Sequence, residues 1–141
     1  MQRKASARWQ GTAKEGTGSL STQSGTLKDT PYSFVARFGD GKGTNPEELL
    51  AASHAGCFTM ALSFMLNNVG FTAEAIDTEA ALTLDQVSGN WTVTAIHLTT
   101  RARVPKIDAA KFAEVAGNAK ANCPISRVLN ATITMDAKLV A

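Results

Sequence analysis

The chain has 141 residues, 44% hydrophobic and 18% charged, which is long enough for a substantial core and sets the expectation of a single domain over residues 1–141. Its formal net charge is +2 and its basic residues are scattered, which argues against a nucleic-acid-binding surface. The start, Met1-Gln2-Arg3-Lys4-Ala5-Ser6, lacks the apolar run of a signal peptide, so the expected compartment is the cytoplasm. There, two cysteines far apart in sequence are redox-active, metal-binding or inert more often than a structural disulfide.

Ala5, Ala7 and Trp9 alternate with Ser6, Arg8 and Gln10 and predict a first strand. Gly11 to Gly18, rich in Gly and Thr, predicts a hairpin turn into a second strand near residues 19–22. Turns at Ser24-Gly25 and Lys28-Asp29 lead to residues 32–38, where Tyr32, Phe34, Ala36 and Phe38 share one face of a predicted strand and Arg37 points the other way. The glycine-rich segment 39–43 is a flexible connection into a helix.

That helix, from Pro46 to about Asn68, is the dominant feature. Asn45 can cap it, Pro46 occupies the first position where a missing N–H costs nothing, and Glu47 and Glu48 put negative charge on the positive end of the helix dipole. No Lys, Arg, Asp or Glu follows Glu48 up to Asn68, so the helix is apolar on nearly every side and is expected to be buried. Its length matches a bilayer, but its Ser, His, Thr and Gly content and the absence of basic anchors favour a core helix over a membrane span.

Gly70 is the residue expected past a helix C-terminus. Alternation from Glu74 to Val87 predicts a long strand with one wet face, Ser88-Gly89-Asn90 a turn, and residues 91–104 its partner strand, with a bulge near Ala95 where the apolar set changes phase. Pro105 ends that strand. Asp108 can cap a second amphipathic helix carrying Phe112, Val115, Ala116 and Ala119, and Pro124 starts a short third helix with Cys123 at or near its N-cap. Ala131, Ile133, Met135, Ala137 and Leu139 alternate along a final strand. The expected class is α+β, with antiparallel sheets wrapped around apolar central helices.

Cys57 lies mid-helix, where a free cysteine usually behaves as a small buried hydrophobe. Cys123, beside a helix N-terminus, has a setting that favours thiolate. Two readings are open: both thiols are inert, or Cys57 is oxidised to a sulfenic acid that condenses with Cys123. The reactive reading needs a cation, for which Arg37 is the candidate, and a carboxylate to hold its guanidinium, for which Glu47 or Glu48 is available. The alternatives are a solvated Arg37 and a Glu48 serving the helix cap. Ten residues of helix place Glu47 about 15 Å from Cys57 along the axis, so an Arg37–Glu47 pair of the same chain does not reach Cys57 unless the helix is broken, whereas a second chain can bring them together. An intertwined homodimer with composite sites is therefore expected. His54, one turn before Cys57, is either a thiolate partner or a satisfied core histidine. Cys57, Cys123 and His54 lack metal-ligand spacing, and no metal or organic cofactor is expected.

Three spaced motifs, Gly-Thr-Asn-Pro-Glu-Glu-Leu-Leu at 43–50, Ala-Ser-His-Ala-Gly-Cys-Phe at 52–58 and Cys-Pro-Ile-Ser-Arg-Val-Leu at 123–129, with Pro31-Tyr32 and the Trp9-Gln10-Gly11 segment, resemble the OsmC/Ohr family of osmotically inducible and organic hydroperoxide resistance proteins, nearer its OsmC branch. The Ohr branch carries a Tyr where His54 stands. The resemblance implies a thiol-dependent peroxidase acting on organic hydroperoxides and more weakly on hydrogen peroxide. It also implies an intertwined homodimer with sites at the subunit interface and electrons drawn from a dithiol such as a lipoylated protein. Carried over by position, Cys57 is implied to be the peroxidatic cysteine, Cys123 the resolving cysteine closing an intrasubunit disulfide, and Glu47 the partner of an activating Arg37. A rival class is a dimeric stress-response module binding a hydrophobic ligand, with incidental cysteines.

Overall fold

In the computed structural model, which describes residues 1–141, the chain divides into two units, Met1–Leu49 and Leu50–Ala141. In the first, β1 (Ala5–Gln10), β2 (Thr17–Thr22) and β3 (Thr30–Tyr32) form an antiparallel sheet in that order. Trp9 anchors the hairpin, its indole N–H donating to the Thr12 carbonyl at 3.1 Å and its ring tilted against Tyr32 at 5.4 Å.

The predicted strand over 32–38 is corrected. Strand β3 stops at Tyr32, and residues Phe34–Phe38 form a short helix, α1. Ser33, itself extended, turns its Oγ to accept the Ala36 N–H at 3.0 Å, a local cap that competes successfully with strand pairing. The same spacing that alternates on a strand also sets Phe34 and Phe38 four apart on a helix, where their rings meet at 4.8 Å. Arg37 thus belongs to the last turn of α1.

Helix α2 (Pro46–Asn68) starts as its sequence indicates. Asn45 Oδ1 accepts the Glu48 N–H at 2.7 Å, while its Nδ2 donates to the Ala36 carbonyl at 3.1 Å. At the other end, Phe71 N–H bonds the Leu66 carbonyl and Gly70 N–H the Asn67 carbonyl, with Gly70 at φ +89. This is a Schellman termination, and the left-handed φ explains the glycine.

In the second unit, β4 (Ala75–Val87) and β5 (Asn90–Arg103) form a long antiparallel hairpin closed by Ser88 and Gly89, both at positive φ. Its register shifts where Thr83 faces Ala95 and Leu84 faces Val93, placing the bulge at Thr94, beside its expected position. Asp108 caps α3 (Ala109–Asn122), accepting the Lys111 N–H at 2.7 Å, and α4 (Pro124–Val128) follows. The last strand, β6 (Thr132–Val140), pairs with β5 in parallel, which corrects the expectation of an all-antiparallel sheet. The reason is topological: α3 and α4 form the crossover that a parallel pair requires.

The core joins the inner face of this sheet (Ile96, Leu98 and Ala102, with Ile76, Ile133 and Met135 beside them) to one stripe of each long helix: Phe58, Leu62 and Leu66 from α2, and Phe112, Val115, Ala116 and Ala119 from α3. Thr100, fully buried, is satisfied by Thr78 Oγ1 at 2.9 Å and the Asp77 carbonyl at 3.2 Å. Helix α2 is not buried all round. Its buried residues, His54, Phe58, Leu62 and Leu66, repeat every four positions, whereas Met60 is 75% and Phe64 66% exposed. By length and composition α2 could cross a bilayer, and 22% of its most apolar window is buried in the chain.

Candidate active site

Cys57 and Cys123 converge. Cys123 is both the C-cap of α3, its N–H bonded to the Ala119 carbonyl at 3.0 Å, and the N-cap of α4. Its side chain makes no cap hydrogen bond, so the thiol is free to turn elsewhere. It points at α2 and donates to Cys57, Sγ to Sγ, at 2.7 Å. Both are free thiols, Cys123 buried and Cys57 partly exposed. A disulfide bond of about 2.05 Å therefore needs well under an ångström of closure.

The electrostatics of Cys57 are mixed. Burial pushes its thiol up first, and the hydrogen bond and proximity of Cys123 add to this, whereas the Ile125 N–H, directed at the sulfur, pulls it down. None of these influences is a cation. His54, for which a thiolate-partner role was one of two expectations, is turned elsewhere: its Nε2 is 2.7 Å from Ser126 Oγ, and burial lowers its pKa, keeping the ring neutral. A neutral imidazole supplies no positive charge to Cys57.

Arg37 and Glu47 form a second pair, within the first unit. Nε lies 3.0 and 3.1 Å from the two carboxylate oxygens, and Nη2 lies 2.6 Å from Oε1. The side-on fork fixes the guanidinium plane. Glu47 is 14% exposed and Arg37 39%, so the carboxylate is the more sheltered partner, and Nη1 takes no part in the pair. The guanidinium lies over the Phe38 ring, 5.3 Å from its centroid, and borders a recess of about 240 Å³ lined by Trp9, Tyr32, Phe34 and Phe38. Glu48 stands outside the fork: its N–H donates to Asn45 Oδ1 at 2.7 Å, and its Oε2 lies 3.4 Å from Asn45 Nδ2.

The four sequence-identified residues thus form two pairs, Cys57–Cys123 and Arg37–Glu47, with α2 carrying one member of each. Two groups at the thiol pair escaped the sequence reading: Ser126 and the Ile125 N–H. The detectable signal for Ser126 was spacing, because it follows Cys123 by three residues as His54 precedes Cys57 by three. No cluster of three or more His, Cys, Asp or Glu side chains is placed to hold a metal ion.

A family model described as OsmC-like protein matches residues 39–138. Peroxiredoxin OsmC of Escherichia coli is 50% identical over 137 residues, covering 97% of this chain and 96% of that protein. The organic hydroperoxide resistance protein OhrB of Bacillus subtilis superposes with a TM-score of 0.73 at 25% identity, covering 98% of each chain. An OsmC-like protein of unknown function from Vibrio cholerae superposes with a TM-score of 0.80 at 14% identity, covering 97% of this chain and 99% of that one.

Proposed function

The chain belongs to the OsmC-like protein family and is a peroxidase, and from that premise we propose that it reduces organic hydroperoxides, and hydrogen peroxide more weakly, through Cys57 and Cys123. The observation that carries this reading is the contact of the two thiols at 2.7 Å. In the proposed cycle the Cys57 thiolate attacks the distal oxygen of R–O–OH, the O–O bond breaks, and the alkoxide leaves and takes a proton as R–OH. Cys57 is left as S–OH. The Cys123 thiol displaces that oxygen as water and forms the disulfide, which an external dithiol, such as a lipoylated protein, reopens by exchange.

Arg37 is assigned to stabilise the thiolate and the charge developing on oxygen, with Glu47 holding it in position. The need for a cation is physical: burial and Cys123 both disfavour the Cys57 thiolate, and only a backbone N–H opposes them. Helix α2 is unbroken from Pro46 to Asn68, so ten residues of rise, about 15 Å, separate Glu47 from Cys57 along its axis. We therefore assign the Arg37–Glu47 pair to the Cys57 of a second copy of the chain. The exposed Met60 and Phe64 support such a homodimer. So does an open groove of about 640 Å³ along Gly56, Thr59, Met60, Ser63 and β4, where a Cβ at Gly56 would meet nothing within 4 Å. The aromatic recess beside Arg37 supports an apolar R group. The assignment is tested by following cumene hydroperoxide consumption with dihydrolipoamide as reductant. The wild type is expected to turn over and Cys57→Ser to be inert; equal rates in the two would reject it.

A further inference from the structure

We propose that His54 and Ser126 are a positioning pair that keeps Cys123 within reach of Cys57 while Cys57 is a sulfenic acid; the inference rests on the peroxidase reading. His54 is fully buried, and Ser126 Oγ, 2.7 Å from Nε2, is the only polar partner of its ring, since Nδ1 is buried without one. A buried imidazole held by a single hydrogen bond is an unusual use of a core position, because a polar group there is normally satisfied at each atom. Its partner sits on a short helix that buries none of its own residues. Helix α4 is five residues long and leaves Val128 73% exposed.

Two side-chain contacts tie α4 and its N-cap to α2, beside the Ile125 N–H, and they are spaced alike. His54 and Cys57 are three apart on α2, Cys123 and Ser126 three apart across the start of α4, so each pair occupies one face of its helix. The rungs run His54–Ser126 and Cys57–Cys123, both at 2.7 Å, with the Ile125 N–H directed at Cys57 between them. When peroxide puts an oxygen on Cys57, the thiol rung is lost and the His54–Ser126 rung remains. It holds the Cys123 S–H against Cys57 S–OH, so that S–S forms and water leaves before a second peroxide molecule oxidises the sulfenic acid to sulfinic acid.

The test compares full-length wild type, Ser126→Ala and Ser126→Thr by intact mass after oxidation with a rising excess of cumene hydroperoxide. Ser126 is partly exposed, so neither change threatens folding. Disulfide closure removes two hydrogens; overoxidation adds two oxygens to Cys57. Ser126→Ala is expected to raise the overoxidised fraction severalfold at equal peroxide, and Ser126→Thr, which retains the hydroxyl, to partition as the wild type does. A wild-type partition in Ser126→Ala would overturn the proposal. Overoxidation of Ser126→Thr to the level of Ser126→Ala would overturn it too, by assigning the effect to packing. A wild type that forms no Cys57–Cys123 disulfide would instead reject the peroxidase cycle itself, and this inference with it.

Discussion

Cys123 Sγ stands 2.7 Å from Cys57 Sγ across 66 residues of sequence. The contact exists because one residue ends α3 and begins α4, leaving its side chain unused by either cap. The proposed cycle gives the two thiols separable roles. Cys57→Ser is expected to abolish peroxide consumption. Cys123→Ser is expected to consume peroxide once and then accumulate Cys57 sulfinic acid, read as thiol loss and added oxygen by mass spectrometry. Sustained normal turnover by Cys123→Ser would remove Cys123 from the resolving role.

The Arg37–Glu47 fork presents a fixed guanidinium, so Arg37→Lys and Glu47→Gln should both lower kcat/KM, by about 10²-fold for loss of one preorganised charge donor. Without the guanidinium, burial and Cys123 dominate Cys57, and the pH at which peroxide reactivity rises should move upward. Subunit mixing locates the pair. A composite site predicts that Cys57→Ser and Arg37→Ala proteins, each inactive alone, regain activity when unfolded and refolded together. No recovery would place both residues in one subunit's site.

The two faces of α2 should respond differently to substitution. Leu62 is fully buried beneath the sheet, so Leu62→Ala should cost about 2–5 kcal/mol of stability, measured by urea unfolding. Phe64→Asp, on the exposed face, should leave the fold intact and lower the mass found by light scattering to that of one chain, with activity lost. A wild type that scatters as a single chain at micromolar concentration would contradict the dimer directly.

His54 makes stability depend on pH on the acid side. Burial lowers its folded-state pKa below the ordinary 6.5, so below pH 6.5 the unfolded chain binds a proton that the folded chain refuses. Stability is therefore full above that pH and falls as pH drops toward the folded-state pKa. His54→Gln should lose stability overall but show a flatter profile between pH 7.5 and 5 (roughly the window in which the unfolded imidazole titrates). Parallel profiles would show that His54 is not the group responsible.

Much of this was legible in the sequence because local chemistry decided it. Asn45-Pro46-Glu47 fixed the start of α2, Gly70 its end, Asp108 the start of α3, and the Trp91–Leu98 phase change the bulge at Thr94. Residues 34–38 misled because Phe34 and Phe38 share a face on a strand and also on a helix, and the hydroxyl of Ser33 decides between them. The parallel pairing of β6 was hidden because alternation reports which face is buried and carries no strand direction. The two pairs at the candidate site were legible as residue types, whereas Ser126 left only its spacing from Cys123, which acquires meaning once the fold sets the serine against His54.

The most direct measurement is the thiol count and intact mass of reduced protein before and after one equivalent of cumene hydroperoxide. The expected result is loss of both thiols and of two hydrogens per chain, with Cys57 and Cys123 joined in the same chain by peptide mapping. Two thiols surviving at unchanged mass would contradict the account and return both cysteines to the role of inert packing residues.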